Sequence, residues 1–223
     1  GDVYKRQNDP NAQGRKKHAG DAIFEDVNND GQLDSKDMKF MGYIRPDKVG
    51  GIVNSFKYKG LTVRVVMDWA MGHVIDNGFK GQIMGSSRNN NNAIKDAMTN
   101  SWQSANDGTK YPKYTVQSDY DYQYRNHMRW DNQIGSSESG STNNSLYFSK
   151  GDYLAFREVS LSYMLPSTWV RKIRLSGVEV FAGAYNIGYI KKYDGMFPEI
   201  YTGVDYGVYP RPRQYNMGVK INF

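Results

Sequence analysis

The sequence predicts an all-β protein whose antiparallel strands form part of a transmembrane β-barrel with long extracellular loops. Three observations carry this prediction: runs of strictly alternating apolar residues, an aromatic final strand, and long polar segments between the strands. In Gln214–Phe223, Tyr215 and every second residue after it are apolar or aromatic and fall on one face of a strand. Outer-membrane barrels end on such a strand, and its final aromatic residue serves as an assembly signal.

The composition excludes several classes of protein. The 223 residues are 39% hydrophobic with a mean hydropathy of -0.74, and no apolar run reaches the ~18 residues of a transmembrane helix. Barrel strands escape this test because only one residue in two is apolar. Cysteine is absent, which excludes a disulfide framework and thiolate metal sites. The net charge of +6 is scattered, so no stripe for nucleic acid is expected.

The chain is expected to contain a short tail followed by barrel sequence. Residues 1–7 read as translated sequencing-adapter text of the kind found at the ends of metagenomic fragments, and they are excluded from the fold. Residues 1–19 are assigned to the tail and residues 20–223 to the barrel.

The first two predicted strands form a hairpin. Val49–Tyr58 has strand character, and Lys59-Gly60 makes a two-residue turn in which glycine supplies a positive φ. Leu61–Met71 alternates apolar and mainly polar residues over a length that matches the ~9–11 residues of a tilted bilayer-spanning strand.

Residues 72–150 form a long polar stretch with one short helical patch at Ala93–Trp102. A connection this long argues against a compact soluble domain and suits an extracellular barrel loop. Strand character returns at Tyr153–Met164, where a slip of the apolar phase predicts a β-bulge near Arg157-Glu158. Three segments follow before the final strand: a short, helical connection at Ser167–Leu175, a strand at Gly177–Ile187, and a loop at Gly188–Pro210.

Loop lengths agree with one orientation in the membrane. If the last strand ends in the periplasm, 188–210, 72–150 and the Asp-rich segment before residue 49 are extracellular. The short connections 165–176 and Lys59-Gly60 are then periplasmic. Barrels show this asymmetry, with short periplasmic turns and longer extracellular loops.

An Asp-rich segment has the spacing of an EF-hand-like calcium loop. Calcium takes six to eight oxygen ligands, and a glycine at the sixth loop position permits the sharp turn. The Gln32 carbonyl would supply position 7, and a structural Ca²⁺ is the expected cofactor, with an Asx-rich turn that binds no metal as the alternative. The side chains at positions 1, 3, 5, 9 and 12 are Asp26, Asn28, Asp30, Asp34 and Asp37, with Gly31 at position 6.

A cluster of aromatic residues within 72–150 is the best candidate for substrate contact, since amphipathic rings stack on sugar faces and hydrogen-bond with their polar tips. The alternative is that these rings pack the loop or meet a partner protein. The candidates are Trp102, Tyr111, Tyr114, Tyr120, Tyr122, Tyr124 and Trp130. Arg64, Asp68 and Arg157 either line a substrate path or form ion pairs on the barrel wall.

No pattern for catalysis is found. His18, His73 and His127 lack metal-ligand spacing, and nucleophile, phosphate-loop and Cys/His motifs are absent. We therefore expect that the protein is not an enzyme.

An ordered set of motifs resembles the C-terminal part of SusC/RagA-type TonB-dependent outer-membrane transporters. The set spans roughly residues 20–223 in family order. It comprises Gly20–Gly31, Tyr58–Leu61, Gly151–Leu154, Leu161–Pro166, Tyr185-Asn186, Lys192–Gly195, Pro198-Glu199 and Gly203–Arg213.

The resemblance implies about five strands of a 22-stranded barrel with a plugged lumen, in the outer membrane of a Gram-negative bacterium. It further implies import of oligosaccharides or peptides together with a SusD-like surface lipoprotein. Energy would come from the TonB complex through an N-terminal part, and neither a plug domain nor a TonB box occurs in this sequence. The alternative function is a secreted, calcium-stabilised β-domain that binds carbohydrate, which would need a closed soluble core. A glycoside hydrolase would need two facing carboxylates, and the sequence offers no such pair.

Overall fold

The computed structural model contains a five-stranded antiparallel sheet. It describes residues 19–20, 25–30, 36, 38–84, 86–87, 95–105, 108–109, 111, 113–116 and 145–223. The sheet strands are β1 (Lys48–Tyr58), β2 (Leu61–Met71), β7 (Tyr153–Met164), β8 (Gly177–Lys191) and β9 (Gln214–Asn222), in that spatial order. All five strands predicted from the alternation are present, and the antiparallel barrel-type sheet is confirmed. The described sheet is open rather than closed on itself.

The hairpin between β1 and β2 has the predicted turn. Lys59 and Gly60 take φ values of 44° and 85°, as a two-residue hairpin turn of the I′ type requires. The register runs from Tyr58 opposite Leu61 to Lys48 opposite Met71 without interruption.

The predicted bulge in β7 lies at Arg157. In the β2 ladder, Phe156 pairs with Met67 and Glu158 with Val66, so Arg157 has no opposite residue there. The β8 ladder shifts between the same two residues. An unpaired residue of this kind changes the side-chain phase on either side of it, which explains the slip seen in the sequence.

The predicted boundary at the end of β8 was wrong. The strand continues past Ile187 to Lys191, so the loop assigned to 188–210 begins four residues later, at Lys192. Asn186 has a φ of 51°, and the pairing with β7 shifts at this point. The irregularity resets the alternation, and Gly188 was therefore interpreted as the start of a loop.

Shorter elements fill the connections. The predicted helical patch contains α2 (Lys95–Thr99), and the 165–176 connection contains α3 (Ser167–Val170) with a 3-10 turn at Arg171–Ile173. The sequence did not reveal the other short elements, which lack the length for a periodic pattern. These are β3 (Val74–Asp76), α1 (Gly78–Met84), β4 (Ser86–Ser87), β5 (Thr115–Val116), a 3-10 turn at Ser145–Tyr147, and β6 (Phe148–Lys150). Among the described residues, no helix is long and apolar enough to cross a membrane.

The chain divides into two compact units. The first comprises residues 1–42, 76–148 and 202–207, and its described core is formed by Ala97, Tyr111 and Tyr147. The second comprises residues 43–75, 149–201 and 208–223 and contains the five-stranded sheet.

The sheet has one apolar and one mainly polar face, because cross-strand partners share a face. Residues of the apolar face are Ile52, Phe56, Tyr58, Leu61, Val63, Val65, Met67, Trp69, Val159, Leu161, Tyr163, Val180, Ala182, Ala184, Tyr215, Met217, Val219 and Ile221. Residues of the polar face are Ser55, Lys57, Thr62, Arg64, Asp68, Glu158, Ser160, Ser162, Glu179, Asn216 and Lys220. We call the end where β2 and β8 stop and β7 starts the loop end of the sheet.

Candidate functional site

The polar face carries an ion-pair network centred on Arg157. Its guanidinium forms a two-pronged contact with Asp68 on β2, in which Nη2 donates to Oδ2 at 2.7 Å and Nε donates to Oδ1. The Nη1 atom lies 2.6 Å from Oε1 of Glu199, in the segment between β8 and β9. Paired N–H donors of arginine match a carboxylate in geometry as well as charge, so the bulge residue joins two elements firmly.

Glu199 is the most buried member of this network, with 1% of its side chain exposed. Its Oε1 accepts a hydrogen bond from the Tyr189 hydroxyl at 2.6 Å, and its Oε2 lies 3.2 Å from Nη2 of Arg211. A buried carboxylate is costly unless it is paired and hydrogen-bonded. Two arginines here balance the two carboxylates Glu199 and Asp68.

A second ion pair lies further along the polar face, where Nε of Arg64 donates to Oε2 of Glu158 at 3.4 Å. The structure therefore places Arg64, Asp68 and Arg157 in ion pairs on the wall, one of the two roles that the sequence left open. Glu199 was missed as a member, because a single acidic residue in a loop rich in Tyr and Pro produces no periodic signal.

Aromatic packing accompanies the network. The ring of Tyr189 meets Phe197 edge-on at 5.8 Å and Tyr153 at 5.9 Å between ring centroids. Ile75, Tyr193, Phe197 and Ile200 form one buried cluster, against which Tyr189 packs. The segment after β8 is therefore held by apolar contacts as well as by charge.

The loop end of the sheet also carries a small polar cluster around Asp152. Its Oδ1 accepts a hydrogen bond from Gly72 N–H at 2.8 Å, and its Oδ2 lies 3.0 Å from Nζ of Lys192. Burial tends to raise the pKa of Asp152, but these two contacts and His73 together hold that pKa below its ordinary value. Burial lowers the pKa of the neighbouring His73, against the opposing charge of Asp152.

Half of the predicted calcium ligands fall in the described part of the chain. Asp30 N–H donates to Oδ1 of Asn28 at 3.0 Å, and Nδ2 of Asn28 donates to Oδ2 of Asp30 at 2.9 Å. Asp26 is partly buried. Gln32, Asp34 and Asp37 lie outside the described residues, and the described residues contain no cluster of three or more His, Asp or Glu able to hold a metal. Calcium binding stays a prediction.

The predicted aromatic contacts fall into three groups. Tyr111 is 6% exposed, donates its hydroxyl to Oδ2 of Asp96 at 2.8 Å, and packs with Ala97 and Tyr147, which is the packing role left open above. Burial, with a smaller effect of Tyr111, raises the pKa of Tyr147 to about 12. Trp102 and Tyr114 are half-buried, and their contact with substrate stays a prediction. Tyr120, Tyr122, Tyr124 and Trp130 lie outside the described residues.

Comparisons with known proteins agree with this architecture. No family model matches the chain. TonB-dependent receptor P3 of Formosa agariphila is 25% identical over 216 residues, which cover 92% of this chain and 19% of the receptor. TonB-dependent receptor SusC of Bacteroides thetaiotaomicron is 26% identical over 91 residues, or 40% of this chain and 9% of SusC.

Solved structures show the same fold. The RagAB peptide importer in its closed-closed state matches with a TM-score of 0.62 and 22% identity, over 87% of this chain and 20% of that chain. A further structure of the RagAB peptide transporter matches with a TM-score of 0.58 and 21% identity, over 81% of this chain and 17% of that chain.

Together the two-faced antiparallel sheet and these likenesses define an outer-membrane β-barrel class, whose members are receptors and transporters rather than enzymes. More narrowly, the chain carries barrel strands of a TonB-dependent receptor of the SusC/RagA type, as the ordered motifs predicted. It spans about a fifth of the length of the receptor P3 that it matches.

Proposed function

We propose that this chain forms part of the wall of an outer-membrane importer for oligosaccharides or peptides. The observation that carries the proposal is the division of the sheet into an apolar face and a polar, ion-paired face. In a barrel the first faces lipid and the second faces the lumen through which substrate passes. The names of the relatives support both substrate classes, since RagAB is described as a peptide importer.

The exposure of the apolar face supports lipid contact. Met217 is 87% exposed and Tyr215 is 73% exposed, and their neighbours on β8 continue the same surface. An apolar surface of this continuity in a soluble domain marks an interface or an aggregation site. The competing function, a secreted calcium-stabilised carbohydrate-binding domain, requires this face to be covered by a second layer. The described residues provide no such layer.

The proposed partners follow from the family resemblance. A SusD-like surface lipoprotein would bind at the extracellular side, where the long connections emerge. The TonB complex would act on an N-terminal plug and TonB box outside the present sequence. Substrate would bind between the lipoprotein and the barrel, and the strands described here would form the passive wall of its path.

The test uses the full-length receptor in its native outer membrane. Uptake of fluorescent oligosaccharides and of fluorescent peptides is measured in wild-type cells, in cells lacking the receptor gene, and in cells treated with an uncoupler. We expect uptake of one substrate class to require both the receptor and the proton-motive force. A surface lipoprotein should co-purify with the tagged receptor. Equal uptake with and without the gene for every substrate would refute the importer assignment.

We also propose that the Asp26–Asp37 loop binds calcium as a structural ion. Its support is the ligand spacing, with an oxygen donor at each position that an EF-hand-like loop uses. In the full-length receptor, ⁴⁵Ca²⁺ binding should fall by one equivalent when Asp30 and Asp34 are both changed to Ala. The control changes Asp47 and Asp194, which lie outside the loop, to Ala. Identical stoichiometry in the loop variant and the control would leave the Asx-rich turn as the correct reading.

A further inference from the structure

The segment that follows β8 folds back over the polar face of the sheet instead of leaving it. Its residues Phe197 and Glu199 contact Tyr189 of β8, and Glu199 also reaches Arg157 of β7. Tyr189 shares the polar face with Ala155, its partner in the ladder. The segment 193–201 therefore covers the loop end of the polar face, whereas Arg64 and Glu179 further along that face are not buried.

Glu199 fixes the position of this segment through charge. Arg157, itself gripped by Asp68, holds one carboxylate oxygen of Glu199, and Arg211 holds the other. Charge-assisted contacts that are shielded from water are stronger than exposed ones, and removing one partner leaves an uncompensated buried charge. We call Glu199, Arg157, Asp68 and Arg211 the latch.

Apolar packing fixes the same segment independently. Tyr193, Phe197, Pro198 and Ile200 are buried around Ile75. Lys191 donates from Nζ to the carbonyl oxygens of Tyr193 and Gly195, so the bend after β8 is also tied at its start. Segments with many buried contacts of this kind open rarely, whereas mobile loops have few.

Two side chains of the segment point away from this packing. Tyr201 is 79% exposed and Met196 is 61% exposed, although they flank residues that are almost fully buried. A tyrosine ring offers a flat apolar surface with a polar tip, which suits both a pyranose ring and a peptide. A rigid base with exposed amphipathic side chains is how a pore presents a fixed contact to a passing solute.

We propose that residues 193–201 form a fixed constriction of the import path, held on the lumen side of the wall by the latch and presenting Tyr201 to substrate. The proposal rests on the importer function for its direction, because that function makes the polar face the lumen face. It assigns the loop a static role. The segment narrows the path at all times and does not open and close over it.

The first test measures whether the latch holds the segment. Hydrogen exchange of residues 193–200 is compared in full-length wild-type receptor and in the Glu199→Gln and Arg211→Gln variants, in detergent. We expect exchange to rise at least tenfold in Glu199→Gln and by a smaller factor in Arg211→Gln. Glu179→Gln, on the same face of β8 but outside the latch, should match wild type. Unchanged exchange in both latch variants would overturn the proposal.

The second test measures whether Tyr201 lies in a narrow path. The present chain lacks cysteine, so Tyr201→Cys and the control Tyr209→Cys introduce single reporters once other cysteines of the receptor are removed. Tyr209 is 86% exposed in the same connection. We expect Tyr201→Cys to react with a small maleimide at least tenfold faster than with a long polyethylene-glycol maleimide. Tyr209→Cys should show no more than the intrinsic difference between the reagents.

Adding Glu199→Gln to Tyr201→Cys should abolish the size discrimination. Equal discrimination by Tyr201→Cys and Tyr209→Cys would overturn the constriction. Neither test uses transport, so the absence of uptake by the wild-type receptor would refute the importer function while these two results would still decide whether the segment is fixed and narrow. In a receptor that transports, Tyr201→Ala should raise the KM for uptake and leave hydrogen exchange of 193–200 unchanged.

Discussion

At the scale of single residues, His73 shows how the loop end of the sheet depends on a neutral side chain. It is 5% exposed, and its carbonyl oxygen accepts the N–H of Gly151 at 2.8 Å. A Cβ at Gly151 would overlap the imidazole ring, so glycine is needed for this close approach. Among the described residues, Nδ1 of His73 has no hydrogen-bond partner. The ring is therefore poorly placed to carry a charge.

The protonation of His73 should weaken the loop end at acidic pH. Its pKa is lowered in the folded protein, so the unfolded state binds the proton more tightly. The stability contributed by neutral His73 is present above its ordinary pKa of 6.5 and is lost as the pH falls through the lowered pKa. We expect protection of the Gly151 amide against hydrogen exchange to fall between pH 7.5 and pH 5, about tenfold for each unit between the two pKa values.

Two variants separate this effect from other titrations. His73→Gln should remove the fall between pH 7.5 and pH 5. Asp152→Asn should lower protection already at neutral pH, because the carboxylate of Asp152 contributes stability above its ordinary pKa of 3.8, and this is lost only at more acidic pH. If His73→Gln retains the full pH dependence, another group is responsible.

At the scale of elements, alternation made the strands predictable because one face of each strand had to be apolar. β2 and β7 have the predicted bounds, and the phase slip located the bulge at Arg157. The end of β8 could not be predicted, since the positive φ of Asn186 interrupts the alternation there. The latch was only half visible: Asp68 and Arg157 lie on strands, but no local pattern reports that Glu199 returns to contact them.

Adjacent residues in the middle of β2 test which face contacts lipid. Val65 pairs with Val159 on the apolar face, and Val66 pairs with Glu158 on the opposite face. Val65→Arg should lower the unfolding free energy of the receptor in lipid vesicles by ~2–4 kcal/mol, the cost of a basic residue on the lipid face near the bilayer midplane. Val66→Arg, the matched control, should have a small effect because it enters the lumen side near a carboxylate. The measurement is urea unfolding in vesicles, and equal destabilisation by both variants would contradict the assignment of faces.

At the scale of the whole molecule, the order of the strands brings the long connections to one end of the sheet. The segments before β1, between β2 and β7 and between β8 and β9 all emerge at the loop end, while Lys59-Gly60 and 165–176 lie at the other. The parity of loop lengths predicted this arrangement, because antiparallel neighbours alternate in direction. Parity carries no information on how a loop folds, so the return of 193–201 onto the sheet required the three-dimensional structure.

The open sheet determines how the isolated polypeptide of 223 residues should behave. β1 and β9 each pair with one strand of the sheet, which leaves one backbone edge of each without a partner in that sheet. Unpaired edges beside an apolar face favour association between chains. We therefore expect the isolated polypeptide to aggregate in aqueous buffer and to elute in the void volume on size exclusion.

Detergent should cover the apolar face and leave the edges open, so it should reduce the aggregates to small oligomers without producing a single monomeric species. Adding Lys to both edges, by Ser55→Lys on β1 and Asn216→Lys on β9, should lower the oligomer size in detergent, because like charges on open edges oppose pairing. Ser160→Lys on the central strand β7 is the control and should not change that size. A monodisperse, β-rich monomer in plain buffer would contradict the lipid-facing assignment of the sheet.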